Sequence, residues 1–461
     1  MNTIVQTLST WIDPARISTD SALLDELSWD ALSEGRIHPH RYPNVRAPIC
    51  AVRPASTEDV LRVVQFANQT KTPLVPFGGG SGLMGGAMSI GPCIVIDLRA
   101  MNRILEIDPQ ARSARVESGV VLETLDTKLL AAGFILGHDP WTVPVATVGG
   151  AISTNSVGYR AGIYGSMGEQ VLGLQAVLAN GEILRTRAVS KHSAGMNLNS
   201  LLIGAEGCFG IITEATLRIF PKPAARLFSG YRFSSFEQGY TAIQQMFQER
   251  LRPAMLDFGD DEDEHDPGAL LYLVFEGNDA VVGAEEALAG RICLTHGGEQ
   301  LSRQEPEQFW LERHEIARRF ARHRRQRRER GRDGVYRDWI HVALSASKVL
   351  PFRRAALELI GRRRGVRLQE SGLWVQPELF SMRLGAEEGY VPNAQLVLEE
   401  TVEELLRLVQ RFGGSMEYTH GVGIKLASLM AEEHGYGLDV MRQIKQALDP
   451  NKILNPGKSA L

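Results

Sequence analysis

Six of the nine residues from Gly78 to Gly86 are glycine, in the stretch PLVPFGGGSGLMGG that follows a short apolar run. Lacking Cβ atoms, successive glycines let backbone N–H groups converge on an anion such as a pyrophosphate, so a nucleotide is a natural guest. A flexible turn or hairpin loop would use the same residues, and the glycines alone leave both readings open. The spacing is not the G-x-G-x-x-G that opens a helix, and the Lys-Ser or Lys-Thr pair of a Walker loop is missing. A Rossmann or phosphate-loop ATPase fold is therefore disfavoured. Far from this loop, His420 lies in the Gly-flanked segment EYTHGVG, where it would serve as a proton acceptor.

Two further segments sharpen the reading: the Gly-, Ser- and Thr-rich stretch VPVATVGGAISTNSVGYRAGIYG, read as a second loop, and LLIGAEGCFGIITEATLRIFPKP. At these residues the sequence resembles the flavin-dependent oxidases and dehydrogenases of the vanillyl-alcohol oxidase superfamily, with a PCMH-type FAD-binding domain. Within them it is similar to the D-lactate, glycolate and D-2-hydroxyglutarate dehydrogenase branch, with alkylglycerone-phosphate synthase as a relative. The resemblance runs over most of Ala51 to Leu461. It implies that Phe77, Gly78, Gly79, Gly80, Ser81 and Gly82 wrap an FAD pyrophosphate. Pro144, Thr147, Val148, Gly149 and Gly150 match the second flavin loop, and Ser153, Thr154 and Asn155 offer hydroxyl and amide groups to the pyrophosphate and ribityl chain. Gly158 and Tyr164-Gly165 continue that match. Glu206, Gly207 and Ile212 fall in the third segment, and Asn455 and Lys458 of NPGK match a tail that returns to the flavin. The first loop offers Ser81 but no His, so the FAD is expected to be non-covalent. Cys93, in the next strand, is expected in the core.

Oxidation of an alcohol by a flavin removes a hydride from carbon while a base takes the hydroxyl proton. His420 matches the His of the family's E-H-G-V-G motif and is the expected base. A 2-hydroxy acid also needs its carboxylate held, which Arg does in a bidentate way. FWLERHEIA resembles the branch's W-x-x-R-H segment and makes Arg313 the first carboxylate candidate. Arg383, in the strand-like LFSMRLG, is the second, and the phenol of Tyr418 is a donor to the substrate oxygen. The implied function is oxidation of a 2-hydroxy acid of D-lactate or glycolate type, or a related alcohol, by hydride transfer to flavin N5. One alternative is a transferase like alkylglycerone-phosphate synthase, using FAD without net oxidation. Another is an electron-passing subunit with a decayed site.

One departure from the resemblance concerns metal. The dehydrogenase branch usually holds a divalent ion with two histidines of an H-x-G-D-G-N-x-H segment and the Glu of E-H-G-V-G. Here the region 371–390, SGLWVQPELFSMRLGAEEGY, contains no His, and Thr419 stands at the Glu position. The expectation is no metal, with activation resting on Arg and His. The synthase relative carries three histidines where this chain has Tyr418, Thr419 and His420.

These residues must be positioned by a chain of 461 residues, 44% apolar and 23% charged, enough for two large domains or three smaller ones. The net charge of −4 creates no global field for nucleic acid or anionic membrane. Four distant cysteines, with no C-x-x-C pair, argue against a zinc or disulfide framework and fit a reducing compartment. No stretch reaches the length of an apolar membrane span, so a cytoplasmic protein is expected. A Ser56-capped helix, a strand–glycine loop–strand unit and an Asn180-Gly181 hairpin make one two-lobed α+β unit up to about Pro223. From Phe228 a strand, helix, strand, helix pattern begins a second α+β domain. The expected division is an N-terminal helical segment (1–44), the FAD-binding domain (45–225), a substrate-capping domain (226–400) and a C-terminal helical segment completing the flavin site (401–461). Between Arg318 and Arg332 lie nine arginines, and between Asp257 and Asp266 seven acids. Both runs are expected as solvated loops, pairing with each other or, for the arginines, contacting a membrane peripherally. With only Phe320 interleaved, a nucleic-acid platform is disfavoured. The expected partner is a small hydroxy-acid substrate; a homodimer is compatible, and the electron acceptor is left unassigned.

Overall fold

Ser56 caps the first long helix as its position predicts. Its hydroxyl accepts the Asp59 N–H at 3.2 Å, and helix Thr57–Thr70 follows with Val60, Val63, Val64 and Ala67 buried. The computed structural model describes residues 3–37, 48–261 and 268–461. The helix packs on a four-stranded sheet in the order Ile17–Ser18, Cys50–Val52, Ile94–Asp97, Leu74–Phe77. The last three strands run parallel. The glycine run therefore starts past the carboxyl end of Leu74–Phe77, the side on which parallel sheets hold ligands. Cys93 packs in the core with Val75, Phe77 and Val95, and all four cysteines are buried free thiols.

The second lobe is an antiparallel sheet of five strands, in the order Ile104–Asp108, Ser113–Glu117, Ile211–Arg218, Val171–Val177, Ile183–Arg185. Asn180-Gly181 turns the last pair. Against this sheet packs helix Val148–Thr154, within the stretch read from sequence as a loop. Thr147 makes the helix possible despite Gly149 and Gly150, because its hydroxyl accepts the Gly150 N–H at 3.3 Å.

The third sheet has seven antiparallel strands, in the order Glu299–Gln300, Ala225–Phe233, Ala269–Gly277, Met255–Asp261, Val366–Trp374, Leu379–Glu387, Val335–Ala343. Helices Phe236–Gln248, Asp279–Thr295, Ala346–Gly361 and Ala394–Arg411 pack against it around one apolar core. Strand Met255–Asp261 corrects the strand–helix–strand–helix reading and the first part of the expected acidic loop. Leu256 and Phe258 enter the core, so the acids between and after them ride on a mid-sheet strand; residues 262–266 lie outside the described residues. Beyond Arg411, Ser415 exchanges backbone hydrogen bonds with Ala343 (2.8 and 3.1 Å), and the Tyr418 N–H donates to the His341 carbonyl at 3.1 Å. The tail returns to the first sheet, where the Asn455 N–H donates to the Leu74 carbonyl at 2.8 Å.

The arginine run is helical over Glu315–Arg322 and Arg324–Arg328, and four of its arginines pair with acids within the chain. Arg318 pairs with Glu123 (2.9 Å), Arg324 with Glu26 (3.2 Å), Arg328 with Asp25 (3.0 Å) and Arg332 with Glu34 (2.8 Å). The acids that meet it belong chiefly to the N-terminal segment, not to 257–261 as expected. No helix among the described residues is long and apolar enough to cross a membrane.

Candidate active site

Between the sheets lies a cavity of about 1140 Å³, above the roughly 300–1,000 Å³ of ordinary small-molecule sites. One end is lined by Phe77, Gly78, Gly79, Gly80, Ser81 and Gly82. The N–H groups of residues 79–82 donate no hydrogen bond to another described residue. Gly80 adopts φ +60°, and a Cβ on Gly79 would collide with the Val145 carbonyl oxygen. Only glycine lets this loop lie so close to the next segment. Thr147, Gly149, Gly150, Ser153 and Thr154 line the same end, as do Glu206, Gly207 and Ile212. The unpaired amides of residues 79–82 and the hydroxyls facing the same cavity suit a diphosphate joined to a polyol, and these residues fit an FAD. The Arg324 guanidinium reaches the same loop, donating to the Gly79 carbonyl.

Eight residues matched to the flavin site stand outside this lining, Gly158, Tyr164 and Gly165 among them. Val148 is in the core of the second lobe, Pro144 is half-buried outside the lining, and Asn155 accepts the Gly168 N–H at 2.9 Å. Asn455 donates to the carbonyls of Gly86 (2.9 Å) and Glu206 (2.6 Å). Lys458 is fully buried, its Nζ lacks a hydrogen-bond partner among the described residues, and burial lowers its pKa. The Glu206 carboxylate accepts from the N–H groups of Val422 (3.2 Å) and Gly423 (2.8 Å) and from the Ser459 hydroxyl (2.7 Å). Burial raises its pKa, against the pull of those donors. Third segment, tail and His420 loop are thus knotted together behind the cradle.

The other end is built from side chains. Alternation along Val335–Ala343 sends Ile340 and Val342 into the core and leaves Trp339 and His341 facing the cavity. The antiparallel register sets Trp339 opposite Arg383 and His341 opposite Ser381. The Ser381 hydroxyl and the Tyr418 phenol are 3.0 Å apart, and burial pushes the phenol pKa up. Arg383, Tyr418 and His420 all line the cavity. The Arg383 guanidinium approaches Glu370 only to 3.9 Å, lies 5.8 Å from the Trp339 ring, and keeps a buried Nε without a hydrogen-bond partner among the described residues. A cation so placed, half-buried on the cavity wall, is available to an incoming carboxylate.

His420 is held by a turn. The Glu417 Oε1 accepts the N–H groups of Thr419 (2.8 Å) and His420 (2.9 Å) and lies 3.4 Å from the His420 Nδ1. Burial alone would raise the Glu417 pKa; the His420 imidazole and these hydrogen bonds bring it below the ordinary carboxylate value. The ring of His341 stands 4.5 Å from that of His420, at 76°. Burial, reinforced by His420, pushes the His341 pKa down to about 3, so its imidazole is neutral. Thr419 accepts the Val157 N–H at 3.3 Å and ties this turn to the second flavin segment.

Arg313 also lines the cavity, but its guanidinium is already engaged. It donates to Asp139 through Nε (3.1 Å) and lies 3.8 Å from the Trp310 ring centroid. Burial opposes ionisation of Asp139, yet Arg160, His314 and Arg313 around it hold its pKa well below the usual range. The W-x-x-R-H signal therefore finds a buried ion cluster at the cavity edge. Sequence reasoning missed Trp339 and His341. Their signal, a polar-aromatic alternation in DWIHVAL, was present, but nothing local says which face of that strand borders a cavity.

Comparison with known proteins agrees with this geometry. Residues 48–187 match the family described as FAD binding domain, and residues 222–459 match FAD linked oxidases, C-terminal domain. The chain is 29% identical to a D-lactate dehydrogenase of Anaerostipes hadrus over 97% of this chain and 95% of that one. It is 30% identical to a D-lactate dehydrogenase of Archaeoglobus fulgidus over 90% and 92% of the two chains. Among solved structures, p-cresol methylhydroxylase with substrate bound superposes with a TM-score of 0.80 at 19% identity, covering 100% of this chain and 96% of that one. The fold is that of the PCMH-type FAD-binding proteins, and the cofactor is FAD.

Proposed function

This chain belongs to the FAD-linked oxidases, flavoprotein oxidoreductases, and we propose that it oxidises a 2-hydroxy acid of D-lactate or glycolate type to the 2-oxo acid. One observation carries the reading: an incompletely paired Arg383 and a carboxylate-held His420 face the same cavity whose other end is the glycine cradle. Bound FAD supplies the hydride acceptor. Arg383 holds the substrate carboxylate, a geometry its fork-shaped donor set suits. His420 takes the hydroxyl proton as the carbon is oxidised, and Glu417 fixes the imidazole and stabilises the cation that results. Tyr418, hydrogen-bonded with Ser381, orients the reacting oxygen. Arg313 acts one step back, positioning the cavity edge through Asp139. The similarity to two D-lactate dehydrogenases supports the substrate class.

The test is anaerobic mixing of the purified holoprotein with D- and L-2-hydroxy acids. The expected result is bleaching of the flavin band near about 450 nm by one or more acids of a single hand. If none bleaches it, while an acyl-glycerone phosphate does so reversibly, the transferase reading replaces this one. Acid precipitation should release the FAD into the supernatant, since no covalent link is expected. A yellow pellet would contradict that.

A further inference from the structure

Three side chains of metal-ligand type meet at the substrate end of the cavity: His341 from strand Val335–Ala343, and Glu417 and His420 from the turn beside it. One donor atom from each lies within 4.8 Å of the other two. The backbone holds them there, because residues 341 and 417 are paired by an isolated bridge and the Tyr418 N–H donates to the His341 carbonyl. The Nδ1 atoms of both histidines are buried and lack a hydrogen-bond partner among the described residues. Buried polar atoms nearly always find one; the His341 Nδ1 has none among the described residues and the His420 Nδ1 has only the Glu417 carboxylate at 3.4 Å, so the three gather as a donor set.

Two imidazoles and one carboxylate are a ligand set that suits Zn²⁺ and similar borderline cations, with a fourth position left for an outside oxygen. Around an ion with bonds of about 2.0–2.2 Å, tetrahedral ligands stand roughly 3.3 Å apart, so side-chain rotation must draw this set in by about an ångström or so. Access comes from the cavity, which both histidines line. The expectation of no metal rested on residues 371–390 and Thr419. It did not weigh His341, which comes from a different strand, or Glu417, two positions before Thr419.

We propose that His341, Glu417 and His420 form a binding site for a divalent transition-metal ion of Zn²⁺ type, and that the bound ion occupies the imidazole that otherwise accepts the substrate proton. The second half rests on the reading of His420 as the base. Zn²⁺ would then be an inhibitor that competes with chemistry, not a cofactor. Binding displaces a proton from any ring nitrogen that carries one at the coordinating position, so affinity should fall in acid.

The test is calorimetric titration of the chelator-treated FAD holoprotein with Zn²⁺, repeated on His341→Ala and Glu417→Gln. One equivalent should bind, and each variant should bind at least tenfold more weakly while retaining its flavin spectrum, which reports folding. If either variant loses its flavin, His341→Gln is the second substitution, expected to weaken binding by the same criterion. No saturable binding, or binding equally tight in the variants, would overturn the site. Zn²⁺ should also slow anaerobic flavin reduction in proportion to occupancy, with a chelator restoring it. Full-rate reduction at saturating Zn²⁺ would overturn the blocking role. If no hydroxy acid reduces the metal-free holoprotein, the oxidase reading fails, while the calorimetry still decides the metal site.

Discussion

The two ends of the cavity are made of different material. The cradle is backbone: residues 79–82 present N–H groups, and Gly79 packs where a side chain cannot. The opposite wall is side chains, with Arg383, Tyr418, His341 and His420 drawn from two neighbouring strands and a turn paired to their edge. Backbone recognition suits a part of a ligand that is always the same, such as a diphosphate. Side-chain recognition suits the part that chooses a substrate, since each group can change without disturbing the chain path.

Substitutions can break this contrast, and the largest effect is expected at the side-chain end. His420→Ala should slow anaerobic flavin reduction by about 10²–10⁴-fold, the usual contribution of a positioned base, with bound FAD unchanged. A loss under about tenfold would remove His420 as base. At the backbone end, Gly79→Ala should do the reverse. Its Cβ meets the Val145 carbonyl, and overpacking of about 1–3 kcal/mol should weaken FAD by roughly five- to 150-fold, measured as flavin retained on dilution. Equal flavin content in variant and parent would show that the cradle is not closely packed around its ligand.

The two arginines sharpen the comparison within the side-chain end. Arg383→Ala should cut kcat/KM by about 10–100-fold, the equivalent of one charged hydrogen bond, mainly through KM. Arg313→Ala should leave KM within about threefold and instead lower the melting temperature, because it strips a partner from the buried Asp139. The opposite pattern would return the carboxylate role to Arg313.

The smallest effect concerns pH at a buried histidine outside the cavity lining. His138 donates to or accepts from the Ser156 hydroxyl at 2.9 Å, and burial pushes its pKa down from 6.5 to about 4. A histidine with a depressed folded pKa contributes stability above its unfolded value, lost as pH falls from about 6.5 through about 4. His138→Gln should flatten the melting temperature across that window. An unchanged slope would mean that other groups carry it.

How far each end was legible follows from the same contrast. The cradle left a trace in the sequence because a backbone site needs glycines in a row, and Gly78 to Gly82 line the cavity. His420 was legible for a related reason, since its turn needs the glycines that flank it. Arg383 was visible as a strand residue but ranked second, because Arg313 sits in a more specific motif. What demoted Arg313 is Asp139, 174 positions earlier, and no local pattern pairs the two. The arginine run misled in the same way. Nine like charges read as solvated, yet Asp25, Glu26, Glu34 and Glu123 reach four of them from distant segments.

By itself the sequence determined the family and pointed to the glycine loop and the histidine turn as candidates, all features written in residues adjacent along the chain. Only the tertiary structure decided which arginine is incompletely paired, which face of DWIHVAL meets the cavity, and that His341 stands beside Glu417 and His420. Those are questions of electrostatic pairing and strand register, in which the deciding partner is close in space and remote in sequence.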